Sequence, residues 1–105
     1  MIETAYQLSR TDDTAIERIL FDDNLHYIHM VFPTGEGMPV HNANANVYMT
    51  VVRGTLSIAL GEQDVHVYEA GTMIKIPNGT LMNAKNLHEP TLELIIVKAP
   101  PPAAT

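Results

Sequence analysis

In NANANVYMTVVRGTLSIAL, Asn42 to Leu60, apolar and polar residues alternate with a period of two. Ala43, Ala45, Val47, Met49 and Val51 share one side, and Asn42, Asn44, Asn46, Tyr48 and Thr50 share the other. That is the pattern of a strand half-buried against a core. The spacing predicts a strand from Asn44 to Arg53 with its odd-numbered residues inward. Arg53-Gly54 closes it, and Thr55 to Leu60 opens the next strand with Leu56, Ile58 and Leu60 on one face.

The punctuation continues toward the C-terminus. Gly61-Glu62-Gln63 reads as a hairpin turn, Asp64 to Tyr68 as a strand, Glu69-Ala70-Gly71 as a turn, Met73 to Ile76 as a strand and Pro77-Asn78-Gly79 as a further break. Thr91 to Lys98 supplies the last strand, and its continuous run Leu94 to Val97 implies burial within a sheet. Pro100 to Pro102 ends the sheet, because proline donates no backbone hydrogen bond. Toward the N-terminus, Pro33 to Pro39 (PTGEGMP) is a loop of two prolines and two glycines, and Leu25 to Phe32 is a strand covered on both sides. Thr11 to Ile19 reads either as one capped helical turn or, over Ile16 to Phe21, as an N-terminal edge strand. Short strands cut by turns at near-regular spacing predict an all-β sandwich or barrel.

The chain has 105 residues, enough for one core and too few for two. One domain is expected, with residues 1–24 an N-terminal segment, 25–99 the barrel and 100–105 a proline-rich tail. A net charge of −6 opposes binding to phosphate backbones and anionic lipid, so neither nucleic acid nor a membrane is expected as a partner. The sequence has no cysteine, which removes disulfides, thiolate metal sites and thiol nucleophiles together. The first twenty residues alternate charged and apolar positions without a basic start or an apolar run, so a cytoplasmic protein is expected.

The order of loop, strand and turn from Leu25 to Pro100 resembles the cupin family of double-stranded β-helix (jelly-roll) barrels. GEGMPVH, Gly35 to His41, matches the opening of the first cupin motif and Gly54 its close; Gly71, Pro77, Gly79 and Asn86 match the second. In cupins with the full motifs, three histidines and a glutamate converge on a divalent metal inside the barrel. Here Ala43 stands at the second histidine position, Val47 at the glutamate and Met82 at the third histidine. Only His41 remains, and one imidazole with a thioether does not supply the donors that such a metal needs. No metal and no cofactor are therefore expected.

The resemblance places His41, Ala43, Val47 and Met82 around a barrel cavity, and strand parity adds Met49, on the same face as residues 41, 43 and 47. His41 then has two readings: a group that contacts whatever binds, or a structural group at the barrel mouth. Met82, Met49, Met73 and Met30 read either as a soft cavity lining or as core filling. Tyr27 and His29 lie on a strand whose facing the pattern leaves open. His26, His66 and His88 read as peripheral, His88-Glu89-Pro90 as a solvated turn, and Asp12-Asp13 and Asp22-Asp23 as caps or turns. No nucleophile elbow, phosphate loop or zinc-protease helix is present. The leading expectation is a metal-free cupin that binds a small organic molecule and forms a homodimer, with Ile16 to Phe21 at the interface. The rivals are a metal-dependent dioxygenase or isomerase using His41 with Asn44, Asn46 or Glu36, a copper site built on His and Met, and a structural or regulatory module with a filled barrel.

Overall fold

The computed structural model describes residues 2–88 and 90–103. Among these residues, nine strands form two antiparallel sheets, and there is no helix, so none is long and apolar enough to cross a membrane. One sheet has five strands in the order β1 (Ala15–Phe21), β2 (His26–Phe32), β9 (Leu92–Lys98), β4 (Val47–Arg53) and β7 (Met73–Ile76). The other has four, in the order β3 (His41–Asn42), β8 (Leu81–Lys85), β5 (Thr55–Leu60) and β6 (His66–Glu69). The core between them comes from the inward parities: Ile28 and Phe32 from β2, Val47, Met49 and Val51 from β4, Leu56 and Ile58 from β5, and Leu92, Leu94 and Ile96 from β9. The fold is the double-stranded β-helix, as expected.

Ala43, Ala45, Val47, Met49 and Val51 are all buried, so the odd side of that stretch does face inward. It is not one strand, however. His41 and Asn42 pair with β8 in the four-stranded sheet, whereas Val47 onward pairs with β7 and β9 in the other. The chain crosses between sheets at Ala43 to Asn46 in a bend, and Ala43 is tied to the start of β8 by backbone hydrogen bonds with Thr80 and Gly79. Alternation survives the crossing because both sheets bury the same side.

Between Thr11 and Phe21 the strand alternative is the one realised. β1 pairs with β2 from Ala15 to Phe21, with a bulge at Ile19 that leaves this residue without a partner. The segment before β1 lies over the outer face of the five-stranded sheet, where Ser9 hydrogen-bonds to Glu17 and the Thr11 carbonyl accepts from Arg53. β2 is therefore covered on both sides, with Ile28 and Phe32 under one and His29 and Val31 under the other.

Two glycines, the motif residue Gly54 and the loop residue Gly37, sit where nothing larger fits. At Gly54, with φ +83°, an added Cβ would sit 2.3 Å from the Thr91 carbonyl oxygen. At Gly37 it would sit 2.3 Å from the Ala84 carbonyl oxygen, where the Pro33 to Pro39 loop bridges to β8. Asn86, fully buried, closes the same end of the barrel. Its amide NH2 donates to the carbonyls of Phe32 and Pro90, and its oxygen accepts from the His88 backbone N–H.

Candidate functional site

His41 reaches the barrel mouth on the two-residue strand β3, directly opposite Met82 on β8. Its Nδ1 lies 2.8 Å from the Pro39 carbonyl oxygen. A carbonyl only accepts, so Nδ1 carries the hydrogen and Nε2 is left with no protein partner among the described residues. Below the ring a cavity of about 130 Å³ opens, walled by His41, Ala43, Val47 and Met82 together with Ile28, Met30, Met38 and Ile96. Lys98 stands at its edge, donating to Asn44 Oδ1 at 2.9 Å.

Four of the five residues that the sequence assigns to the cavity thus come together. Met49 is fully buried in the core and is not part of the wall. Of the other methionines, Met30 lines the cavity, Met38 joins it from the loop before β3, and Met73 points outward at 59% exposure. Ile28, Met30, Ile96 and Lys98 were legible in principle. Leu92, Leu94 and Ile96 bury the even side of β9, and that parity carries Lys98 inward with them.

Cupins with complete motifs carry a divalent metal on the inner surface. Where those donors would stand, this chain presents one imidazole, a methyl group, an isopropyl group and a thioether. Among the described residues, no three His, Asp or Glu side chains cluster in a way that fits a metal ion. Asn44 accepts from Lys98, Asn46 accepts from the Asn78 backbone N–H, and Glu36 accepts from Thr14, so the proposed substitute donors are engaged elsewhere. The residues present do not fit a divalent metal.

His29 faces away from the cavity. It is fully buried on the outer side of β2, with Nδ1 2.6 Å from Glu17 and Nε2 2.6 Å from Glu93. Arg53 bridges Glu93 to Asp12 in the N-terminal segment. Both ring nitrogens are thus engaged by carboxylates. The bonds to His29, and then those from Ser9, hold the Glu17 carboxyl below the usual carboxylate range. Tyr27 is on the same outer face, beside Tyr6, Leu8 and Leu20. His26 stacks on Phe21 at 3.6 Å beside the barrel mouth, His66 meets Tyr68 edge-on, and His88 reaches Ser57 Oγ at 3.2 Å. Asp22 caps its turn through the backbone N–H groups of Asn24 and Leu25. Of His88-Glu89-Pro90, Glu89 lies outside the described residues.

A double-stranded β-helix barrel with a largely apolar mouth and one surviving motif histidine defines a cupin with degenerate metal motifs. No protein-family profile matches the sequence. An uncharacterised protein of Methanocaldococcus jannaschii is 32% identical over 103 residues, 97% of this chain and 89% of that one. The crystal structure of this archaeal protein, described as an RmlC-like cupin family protein with a double-stranded β-helix fold, superposes with a TM-score of 0.92 at 31% identity, covering 95% of this chain and 93% of that one. An RmlC-like cupin protein from Desulfovibrio desulfuricans shares the fold alone, with a TM-score of 0.78 at 18% identity over 96% of this chain and 99% of that one. This chain belongs to the RmlC-like cupin family.

Proposed function

We propose that this cupin binds a small, mostly apolar organic molecule in the cavity between His41 and Met82, by shape rather than by metal coordination, and that it works in the cytoplasm as a homodimer. The observation that carries the reading is the cavity itself: about 130 Å³ walled by alkyl and thioether groups, with the free Nε2 of His41 at its rim. An engineered apolar cavity of about 150 Å³ is known to accept a benzene, so a void of this size has room for a short hydrocarbon body. Methionines at the wall allow adjustment to shape. The same void speaks against a barrel filled by its own side chains.

Titration with 2-methylpropan-1-ol, followed by NMR through the methyl signals of Met82 and Val47, tests the reading. Saturable shifts that disappear in Ala43→Leu, which fills the space, are expected. Shifts that do not saturate, or that persist in Ala43→Leu, overturn it.

The pairing part rests on β1, an edge strand with Ile16 57% and Phe21 43% exposed. A second copy laid along β1 would close the open edge. Light scattering at micromolar concentration is expected to give twice the chain mass, reduced to one chain mass in Ile16→Lys; a wild-type monomer overturns this part.

A further inference from the structure

Three cross-strand rows of side chains run across the inner side of the five-stranded sheet. Phe21, His26, Lys98 and Val47 form one, running across β1, β2, β9 and β4; Arg18, Ile28, Ile96 and Met49 form the next; Ile16, Met30, Leu94 and Val51 form the third. Met49, Leu94 and Val51 are buried in the core, whereas Val47 and Ile96 line the cavity. Arg18, Phe21 and His26 line an open groove continuous with it, the two sharing Ile16, Ile28, Met30 and Lys98. Arg18 and Lys98 both enter this groove, with His26 between them on β2, and His41 stands on the cavity side. Among the described residues, no Asp or Glu lines either the cavity or the groove. In a chain of twelve acidic and six basic residues, that local balance is the reverse of the global one.

Resting on the ligand-binding reading above, we propose that the cavity and groove together take a small organic carboxylate, its short branched alkyl part in the cavity and its carboxylate on Arg18 and Lys98. The cavity volume limits the apolar part to a few carbon atoms, and the cations stand where a polar head would emerge. Burial, and then the nearby charge of Arg18, hold the Lys98 ammonium below its usual range. Arg18 lies over the Phe21 ring and Lys98 donates to the neutral Asn44, so among the described residues neither cation of the groove is paired with a carboxylate, and an anion placed there relieves their repulsion. The His41 Nε2 joins the same head group only when it carries a hydrogen, because an ionised carboxylate accepts hydrogen bonds and donates none.

Isovalerate and isovaleramide have the same alkyl body and differ in charge, so paired calorimetric titrations at pH 7.5 separate the two ideas. Isovalerate is expected to bind at least about fivefold more tightly than the amide, since charge-assisted hydrogen bonds are roughly twice as strong as neutral ones. The margin is expected to shrink between 50 and 500 mM NaCl, roughly the range over which screening removes exposed charge interactions. In the Arg18→Met/Lys98→Met double variant the two compounds are expected to bind equally. Equal affinity for the wild-type protein, or tighter binding of the amide, overturns the carboxylate assignment and leaves the cavity reading standing. Failure of both compounds while 2-methylpropan-1-ol binds does the same. Failure of all three overturns the cavity reading itself.

Discussion

His29 and Glu93, on neighbouring strands β2 and β9, meet at 2.6 Å on the side of the sheet that faces away from the cavity. The contact joins a ring with no solvent exposure to a carboxylate that also binds Arg53, and through Arg53 it reaches Asp12. The network therefore ties the N-terminal segment to the centre of the five-stranded sheet. It is structural in placement, since neither ring nitrogen is left free for a ligand.

Replacing His29 with alanine removes the partner of both carboxylates at once and leaves Glu93 facing a small void. Leaving a buried hydrogen-bonding group without its partner costs about 1–3 kcal/mol. A loss of about 2–3 kcal/mol is expected in urea denaturation, because two groups lose their partner together while both carboxylates keep some access to water.

The pH dependence of stability follows from Glu17. Its folded-state pKa lies below its value in the unfolded chain, so the unfolded state takes up protons first as the solution is acidified. The contribution of Glu17 is fully present above the ordinary carboxylate range and is lost as pH falls through the depressed folded value. Asp22, depressed by the backbone N–H groups of Asn24 and Leu25, acts in the same direction. Thermal denaturation midpoints are expected to decline below about pH 4.5, and the decline is expected to be shallower in Glu17→Gln.

Gly54→Ala is expected to destabilise by at least about 2 kcal/mol, combining the cost of a left-handed backbone with a contact that backbone atoms cannot relieve. The Cβ would press on the Thr91 carbonyl just before β9, the strand that holds β2 and β4 together. Gly35→Ala has no neighbour within 4 Å of its added Cβ, so it tests the backbone cost alone and is expected to lose about 1 kcal/mol.

Asn86→Ala strips three hydrogen bonds from a fully buried side chain, leaving the Phe32 and Pro90 carbonyls and the His88 N–H without their side-chain partner. A loss of about 2–3 kcal/mol is expected by denaturant titration. Hydrogen exchange at the His88 amide is expected to speed up in the same variant.

The barrel was legible because apolar and polar residues alternate on β4 and along Thr55 to Leu60, because Leu94 to Val97 is a continuous apolar run, and because Gly54, Pro77, Gly79 and Asn86 fall at the spacings of the cupin motifs. β8 was not read as a strand: Leu81-Met82-Asn83-Ala84-Lys85 contains no β-branched or aromatic residue, and its pairing with β5 and β3 supplies what its composition lacks. Four cavity residues were visible in the motif positions themselves. Met49 was placed with them by parity alone, which fixes the face of a strand but not the depth along it. The role of His29 was hidden for a different reason. Glu17 and Glu93 are 12 and 64 residues away from it, and only the folded topology brings them to one ring.

The bulge in β1 separates two surfaces that an unbroken strand would couple. Arg18 pairs with Ile28 and Leu20 with Tyr27, so Ile19 is surplus to the ladder, and excising it would leave every remaining cross-strand partnership as it stands. Ile19 and Leu20 both turn toward Tyr6 and Leu8, while Arg18 and Phe21 stay over the groove. The grip of the leading segment is thus free to diverge by insertion or deletion at one position, without re-aiming the side chains that overlook the barrel's opening.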